Sequence, residues 1–240
     1  MTGPSGPIAS PRLLQLGCGL FAPPEWTNVD GSLNAWLAQR PLLKKLVKMS
    51  RLMPRAQLEV PWPNNIHIVD ARKPLPWPAE TFDAVYASHF LEHLYRDQAQ
   101  FVLRECFRVL KPGGIARMLV PDLKAMVEDY IRESNHGGDG QAPPGADPAK
   151  RLCERLLMRL PYAPRGRFFH QLYWKISDPH HHKWMYDGPS LALMLTDAGF
   201  EGSRTRGFLD SDIPMLEKVE FENRIMNGEG VAVEGCKPRR

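Results

Sequence analysis

Residues 13–30, LLQLGCGLFAPPEWTNVD, join an apolar run, a Gly-x-Gly turn and a terminal aspartate within one short span. Gly17 and Gly19 let the backbone turn tightly and approach a ligand with no Cβ in the way. Asp30 can accept hydrogen bonds from a ribose diol, as acids at strand ends do in dinucleotide-binding sheets. Gly-x-Gly also occurs in ordinary turns, so this stretch alone suits a nucleoside-type ligand and a plain turn about equally. Asp70 ends a second such run, IHIVD, and either acid could instead cap a following helix. Ser88 has the same ambiguity as a cap for a helix starting near His89.

Two histidine groups could move protons or hold ions. His89, Glu92 and His93 stand at i, i+3 and i+4, so one helical face could present all three. A histidine there could take a proton from a hydroxyl. The plainer reading has Glu92 and His93 holding the helix start through loop backbone. His180, His181 and His182, with His170 nearby, invite a metal reading because imidazole is a common ligand. Adjacent histidines on an extended segment point to opposite sides, and no acid stands at a diagnostic spacing, so no metal site is expected. His180 and His182 are instead expected to line a substrate pocket. Trp184 and Tyr186 could stack on that substrate or pack a late helix.

The elements that would carry these residues alternate. Residues 13–16, 26–30, 66–70, 82–88 and 115–122 read as strands, and FDAVYAS has the near-continuous apolar character of a strand buried on both faces. Residues 33–53 have helical spacing split by Pro41. Residues 89–110 read as a helix ended by KPGG, with another near 122–134. Such alternation predicts a parallel, doubly wound sheet with ligands beyond the carboxyl ends of its strands. Asp30, Asp70, Ser88 and Asp122 all fall there. A Gly- and Pro-rich stretch at 135–148, a helix around 148–160 and the aromatic and basic run to 186 read as an insertion at that edge. Residues 187–200 return to a helix started near Asp187 or Ser190 and stopped by Gly199, and 205–213 and 230–236 read as closing strands.

Composition narrows the partners. The net charge of +4 is spread along the chain, with Lys44, Lys45 and Lys48 reading as a solvated helix face, so no nucleic-acid footprint is expected. Four scattered cysteines form no Cys-x-x-Cys pair, which fits reduced thiols and a cytoplasmic location. No signal-like N-terminus or long apolar run suggests a membrane. Residues 1–11 read as a flexible tail and 12–240 as a single domain with 135–186 as its lid or acceptor-binding insertion.

LQLGCG (14–19), NVD (28–30), LPWPAETFDAVYASHFLEHL (75–94) and ECFRVLKPGG (105–114) resemble the class I S-adenosylmethionine-dependent methyltransferases, within them the group called methyltransferase type 11. HKWMYDGPSLALMLTDAGF (182–200) looks like the late helix of one bacterial subgroup. The resemblance implies a Rossmann-like, doubly wound, mostly parallel seven-stranded sheet and S-adenosylmethionine as cofactor. It implies that Leu16, Gly17 and Gly19 lie under the methionine and ribose, and that Asp30 binds the ribose hydroxyls. Asp70 with the Ala71 backbone would meet the adenine, and Ser88 and His89 would flank the methionine near the transferable methyl. The expected activity is methyl transfer to an O, N or C nucleophile of a small molecule such as a sugar or secondary metabolite, with His89 and His93 as candidate catalytic residues. The alternative is an inactive cofactor-binding subunit of the same fold. A nicotinamide oxidoreductase is disfavoured by the incomplete glycine fingerprint. One departure stands out: only about ten residues separate Gly19 from Asp30, where a parallel crossover needs a dozen or more. The helix between the first two strands must be missing or reduced to a loop.

Overall fold

A computed structural model describes residues 10–50, 53–135, 147–157, 181–226 and 229–239. Strands β1 (Leu13–Leu16), β2 (Trp26–Asp30), β3 (Ile66–Ile68), β4 (Phe82–Ser88), β5 (Leu110–Val120), β6 (Glu201–Arg206) and β7 (Val231–Cys236) form one sheet in the order 3-2-1-4-5-7-6. Pairings among β1 to β5 are parallel, and β7 runs antiparallel between β5 and β6. This is the Rossmann-like, mostly parallel seven-stranded arrangement, and the strand order reverses between β1 and β4. A crevice opens at such a switch point, beyond the carboxyl ends of the two strands.

Alternation along the central strands sends side chains to two faces. Leu14, Leu16, Val85 and Ala87 join the main core with helices α4 (Arg96–Val109) and α7 (Gly188–Asp197). Leu13, Trp26, Ala84 and Tyr86 face the other way, onto Ile213, Leu216 and Val219. That second cover explains how the chain dispenses with a helix between β1 and β2. Residues 17–25 return in two turns, closed by Phe21 N donating to Cys18 O and Trp26 N to Pro23 O. Asn28 Nδ2 donates to the Pro23 and Trp26 carbonyls and holds the second turn in place. The C-terminal segment then fills the vacated face, fixed there by Trp26 Nε1 donating to Met215 O.

Helices α1 (Leu33–Ala38) and α2 (Pro41–Ser50) break at Pro41 as expected, followed by α3 (Arg55–Leu58). Helices α5 (Leu123–Asn135) and α6 (Pro148–Leu156) also fall where the periodicity puts them. Among the described residues no helix is long and apolar enough to cross a membrane.

Three boundaries differ from the sequence reading. The helix expected from residue 89 starts at Arg96, preceded by a single 3-10 turn at Leu91–His93. The strand expected at 205–213 is β6, Glu201–Arg206, and the chain after it forms turns and short 3-10 segments. The KPGG stretch lies inside β5, as an irregularity in the β4 ladder where Gly113 takes φ +80° before pairing resumes at Ile115. The loop expected at 135–148 and the 1–11 tail fall almost wholly outside the described residues.

Candidate functional site

The carboxyl ends of β1, β2 and β4 bring Leu16, Gly17, Gly19, Asp30, Ser88 and His89 to one edge of the sheet. Gly17 and Gly19 both have left-handed backbone, φ +64° and +55°. A Cβ on Gly17 would meet the Phe90 ring at 2.8 Å, whereas one on Gly19 would meet nothing within 4 Å. Gly17 is therefore glycine for a close approach within the protein, and Gly19 faces open space that a ligand can occupy. The Asp30 carboxylate staples this loop: Oδ2 accepts from Gly19 N at 3.1 Å and Oδ1 from Ser32 N at 2.8 Å. Each oxygen keeps a further lone pair for a ligand hydroxyl. Helix α1 is capped by Ser32, whose Oγ accepts from Ala35 N, so Asp30 is no helix cap. Burial, reinforced by the Asp30 charge, pushes the Cys18 thiol up to about 12, which makes it a poor nucleophile.

Asp70 lies beside Asp30 across the ends of β2 and β3. Their loops touch at Gly31, where a Cβ would meet Val69 O at 2.7 Å. Asp70 is held by Arg72, with Nε donating to Oδ1 at 2.7 Å and a terminal nitrogen to Oδ2 at 3.0 Å. This hydrogen bonding holds the Asp70 carboxyl below the usual carboxylate range. Ala71 is buried in the main core beneath the loop. Asp122, the remaining strand-end acid, caps α5 by accepting from Lys124 N and Ala125 N.

At the end of β4 the backbone turns sharply. His89 takes φ +50°, costly for any residue but glycine, and such strain persists where surroundings enforce it. Its backbone N donates to Leu119 O, and its Nε2 lies 3.3 Å from the Arg224 carbonyl. Its Nδ1 lies 3.3 Å from Glu92 Oε1. One ring nitrogen thus faces a backbone carbonyl and the other the Glu92 carboxylate, so neither is turned toward an acceptor substrate. His93 differs. Its Nδ1 donates to His181 O at 3.2 Å, which leaves a lone pair on Nε2. The i, i+3, i+4 helical face is absent, because the α-helix begins later, yet the three side chains still gather around the 3-10 turn. Ser88 does not cap a helix here; its buried Oγ has Tyr86 as a polar neighbour but makes no hydrogen bond of good geometry.

The histidine segment reaches this turn from afar. Lys183 N and Trp184 N both donate to Glu92 O, at 2.7 and 3.3 Å. His182 packs edge-on to His93 with ring centroids 5.2 Å apart. Burial lowers the His182 pKa, opposed by the Glu92 charge, so the ring is kept neutral. Trp184 is half exposed with the Arg96 guanidinium over its face. Tyr186 is 1% exposed, pairs with Asp122 as an isolated bridge and packs in the core, so it serves the late helix rather than an open pocket. His180, together with Arg165, Arg167, His170, Tyr173 and Trp174 of the insertion, lies outside the described residues.

Sequence reasoning passed over Phe90, Gly31, Arg72 and Arg224. Gly31 and Arg72 had weak local signals, a glycine directly after a strand-end acid and an arginine two residues after one. Arg224 had none, because it arrives from the far end of the chain.

Residues 30–118 match the family described as a methyltransferase domain. A stretch of 48 residues is 50% identical to a protein of Mycolicibacterium smegmatis named a probable S-adenosylmethionine-dependent methyltransferase, covering 20% of this chain and 18% of that protein's length. In structure the chain is similar to an S-adenosylmethionine-dependent methyltransferase from Archaeoglobus fulgidus, at 18% identity and TM-score 0.46 over 95% of this chain and 87% of that one. A second, from Thermotoga maritima, has 18% identity and TM-score 0.44 over 95% and 82%.

Proposed function

We propose that the chain, whose residues 30–118 match a methyltransferase domain, moves the methyl group of S-adenosylmethionine to an oxygen, nitrogen or carbon nucleophile of a small molecule, releasing S-adenosylhomocysteine. The observation that carries this reading is the Gly19 turn after β1, where a Cβ would meet nothing within 4 Å beside the Asp30 carboxylate. The residues present fit the cofactor. Gly17 and Gly19 give backbone access, Asp30 has lone pairs for the ribose diol, the loop at Asp70 and Ala71 offers an adenine edge, and Ser88 and His89 end the neighbouring strand.

The bound cofactor supplies an activated methyl on a sulfonium, so the chain need only orient the acceptor in line and exclude water. Asp30 fixes the Gly19 loop before any ligand arrives. His89 positions the end of β4 through its bonds to Leu119 and Arg224. Where the acceptor is a hydroxyl and His93 Nε2 holds no ion, its lone pair is the better placed of the two candidate bases to receive the proton. The insertion at 135–186 is proposed as the acceptor wall; in support, its described flanks meet at this edge, with His182 N donating to Leu157 O. A cytoplasmic setting is part of the proposal and is supported by four unpaired cysteines.

Calorimetry with S-adenosylhomocysteine against NAD tests the cofactor. Binding of the first and none of the second is expected, with at least a tenfold loss in Asp30→Ala, since a hydrogen bond to a charged group is worth about 1.5–3 kcal/mol. Unchanged affinity in Asp30→Ala would sink the assignment.

A further inference from the structure

Among the described residues, Glu92 is the one carboxylate with both oxygens buried and without a hydrogen-bond partner. Its side chain is 0% exposed, and among the described residues neither carboxylate oxygen has a hydrogen-bond partner of good geometry, His89 Nδ1 standing 3.3 Å from Oε1 as an ion-pair contact. A buried carboxylate without well-formed hydrogen bonds is unfavourable, so the site favours a cation. Around it stand two imidazoles from segments far apart in the chain. Glu92, His93 and His182 each offer one ligand atom, all within 4.8 Å of one another, and among the described residues the buried Nδ1 of His182 makes no hydrogen bond of good geometry.

We propose that Glu92, His93 and His182 form a binding site for one divalent transition-metal ion of the zinc class. Two imidazoles with one carboxylate is a donor set that suits zinc and excludes the all-oxygen preference of magnesium or calcium. A tetrahedral ion with bonds of about 2.0–2.1 Å holds its ligands roughly 3.3 Å apart, so the three side chains close by an ångström or so on loading. The outer partners of such a site are already in place. His93 Nδ1 donates to His181 O, which fixes the tautomer and leaves the other nitrogen to ligate. His89 Nδ1 faces Glu92 Oε1, as a group that orients a ligating carboxylate does. Three protein ligands leave a fourth position for water or an acceptor oxygen.

The sequence hid the site because its acid lies about ninety residues from the histidine run. Two backbone hydrogen bonds to Glu92 O bring the segments together before any ion binds. The inference does not depend on methyl transfer and would stand if that reading failed.

The full chain, stripped with chelator, is titrated with zinc chloride by calorimetry and with cobalt(II) by visible absorption. One equivalent is expected, with intense cobalt bands of low-coordinate geometry. Glu92→Gln and His182→Ala should each lose affinity by at least a hundredfold, and His89→Ala by about tenfold. Circular dichroism checks that each variant folds, and if Glu92→Gln does not, His182→Ala with the wild-type cobalt spectrum decides. No stoichiometric binding by the wild type overturns the proposal. Binding that survives both substitutions also overturns it, since other histidines would hold the ion.

Discussion

Gly17 and Gly19 share a left-handed backbone and differ in what surrounds them, which makes them separable by experiment. Any L-residue pays about 1–2 kcal/mol at such a φ. At Gly17 the new methyl must also displace the Phe90 ring, which it would meet at 2.8 Å. Gly17→Ala should therefore destabilise the fold by about 3 kcal/mol, the strain plus an overpacking cost, read as a lowered urea midpoint. Gly19→Ala should cost about 1 kcal/mol, because its Cβ meets nothing, yet weaken S-adenosylhomocysteine binding tenfold or more by projecting into the proposed ligand space. A Gly19→Ala protein that binds as well as wild type would show that the open space belongs to something else. These two residues were legible as glycines at a strand end, but their division of labour was not. A sequence shows which residue can take positive φ, and only the packed fold shows that Phe90 lies over one of them. Arg72 makes the same point: its neighbour Asp70 was readable as a strand-end acid, and the bidentate grip on that acid was not.

The two helices flanking the main core start by different means, and their starts explain which boundaries could be read. Helix α7 has a reciprocal cap, with Asp187 Oδ1 accepting from Ser190 N and Ser190 Oγ accepting from Asp187 N. Its Pro189 sits at the first turn, and Gly199 at φ +105° ends it, all of which is written locally in DGPS and DAG. Helix α4 has no such marker at His89. Apolar spacing runs smoothly from Phe90 to Val109, but Phe90 is spent covering Gly17 and the Glu92 carbonyl is spent on Lys183 and Trp184, so the regular helix waits until Arg96. Periodicity cannot register a carbonyl claimed by a segment ninety residues away. Asp187→Ala should cost about 1 kcal/mol, as lost caps do, lowering Tm by roughly 2–4 °C in a chain of this size. Hydrogen bonds from Ser190 hold the Asp187 carboxyl below its ordinary value. A carboxyl depressed on folding stabilises the protein above its unfolded pKa of about 4, and that contribution is lost as pH falls through the lower folded value. The gap between wild type and Asp187→Ala should therefore narrow on going from pH 7 to pH 3.5 in urea titrations. A gap of constant size would mean the effect lies in helix propensity instead of the charged cap.

The molecule as a whole is closed by a charge cluster under the sheet's far half. Arg117, on β5 and fully buried, donates through Nε to Glu220 Oε2 at 2.6 Å, through another guanidinium nitrogen to Glu234 Oε1 at 2.8 Å, and to the carbonyls of Gly207 and Asp210. It thereby ties β5, β7 and the segment that covers the missing-helix face into one unit. That segment replaces an element the fold ordinarily supplies near the N-terminus, which is why the short Gly19 to Asp30 span was readable as an oddity while its remedy, two hundred residues on, was not. Burial alone would lower the Arg117 pKa, but the hydrogen bonds and charges of Glu220 and Glu234 outweigh it and the net shift is upward, so the cation is secure at any working pH. Removing it while leaving both acids should cost about 3–5 kcal/mol, the toll of an uncompensated buried charge. The sign of the pH dependence then follows. In Arg117→Met the Glu220 carboxyl is buried without its counter-charge and Glu234 keeps only Arg206, 3.6 Å away, so the folded state takes up protons more readily than the unfolded one. Stability falls with rising pH wherever the folded state binds more protons. Thermal melts should show Arg117→Met gaining Tm between pH 7.5 and pH 5.5, an interval over which carboxylates favoured by folding give the wild type no such gain. Adding Glu220→Gln and Glu234→Gln to Arg117→Met should restore much of the loss and abolish the gain, because neutral amides need no cation. A triple variant as unstable and as pH-sensitive as the single one would show that Arg117 acts through its carbonyl bonds to the covering segment and not through charge.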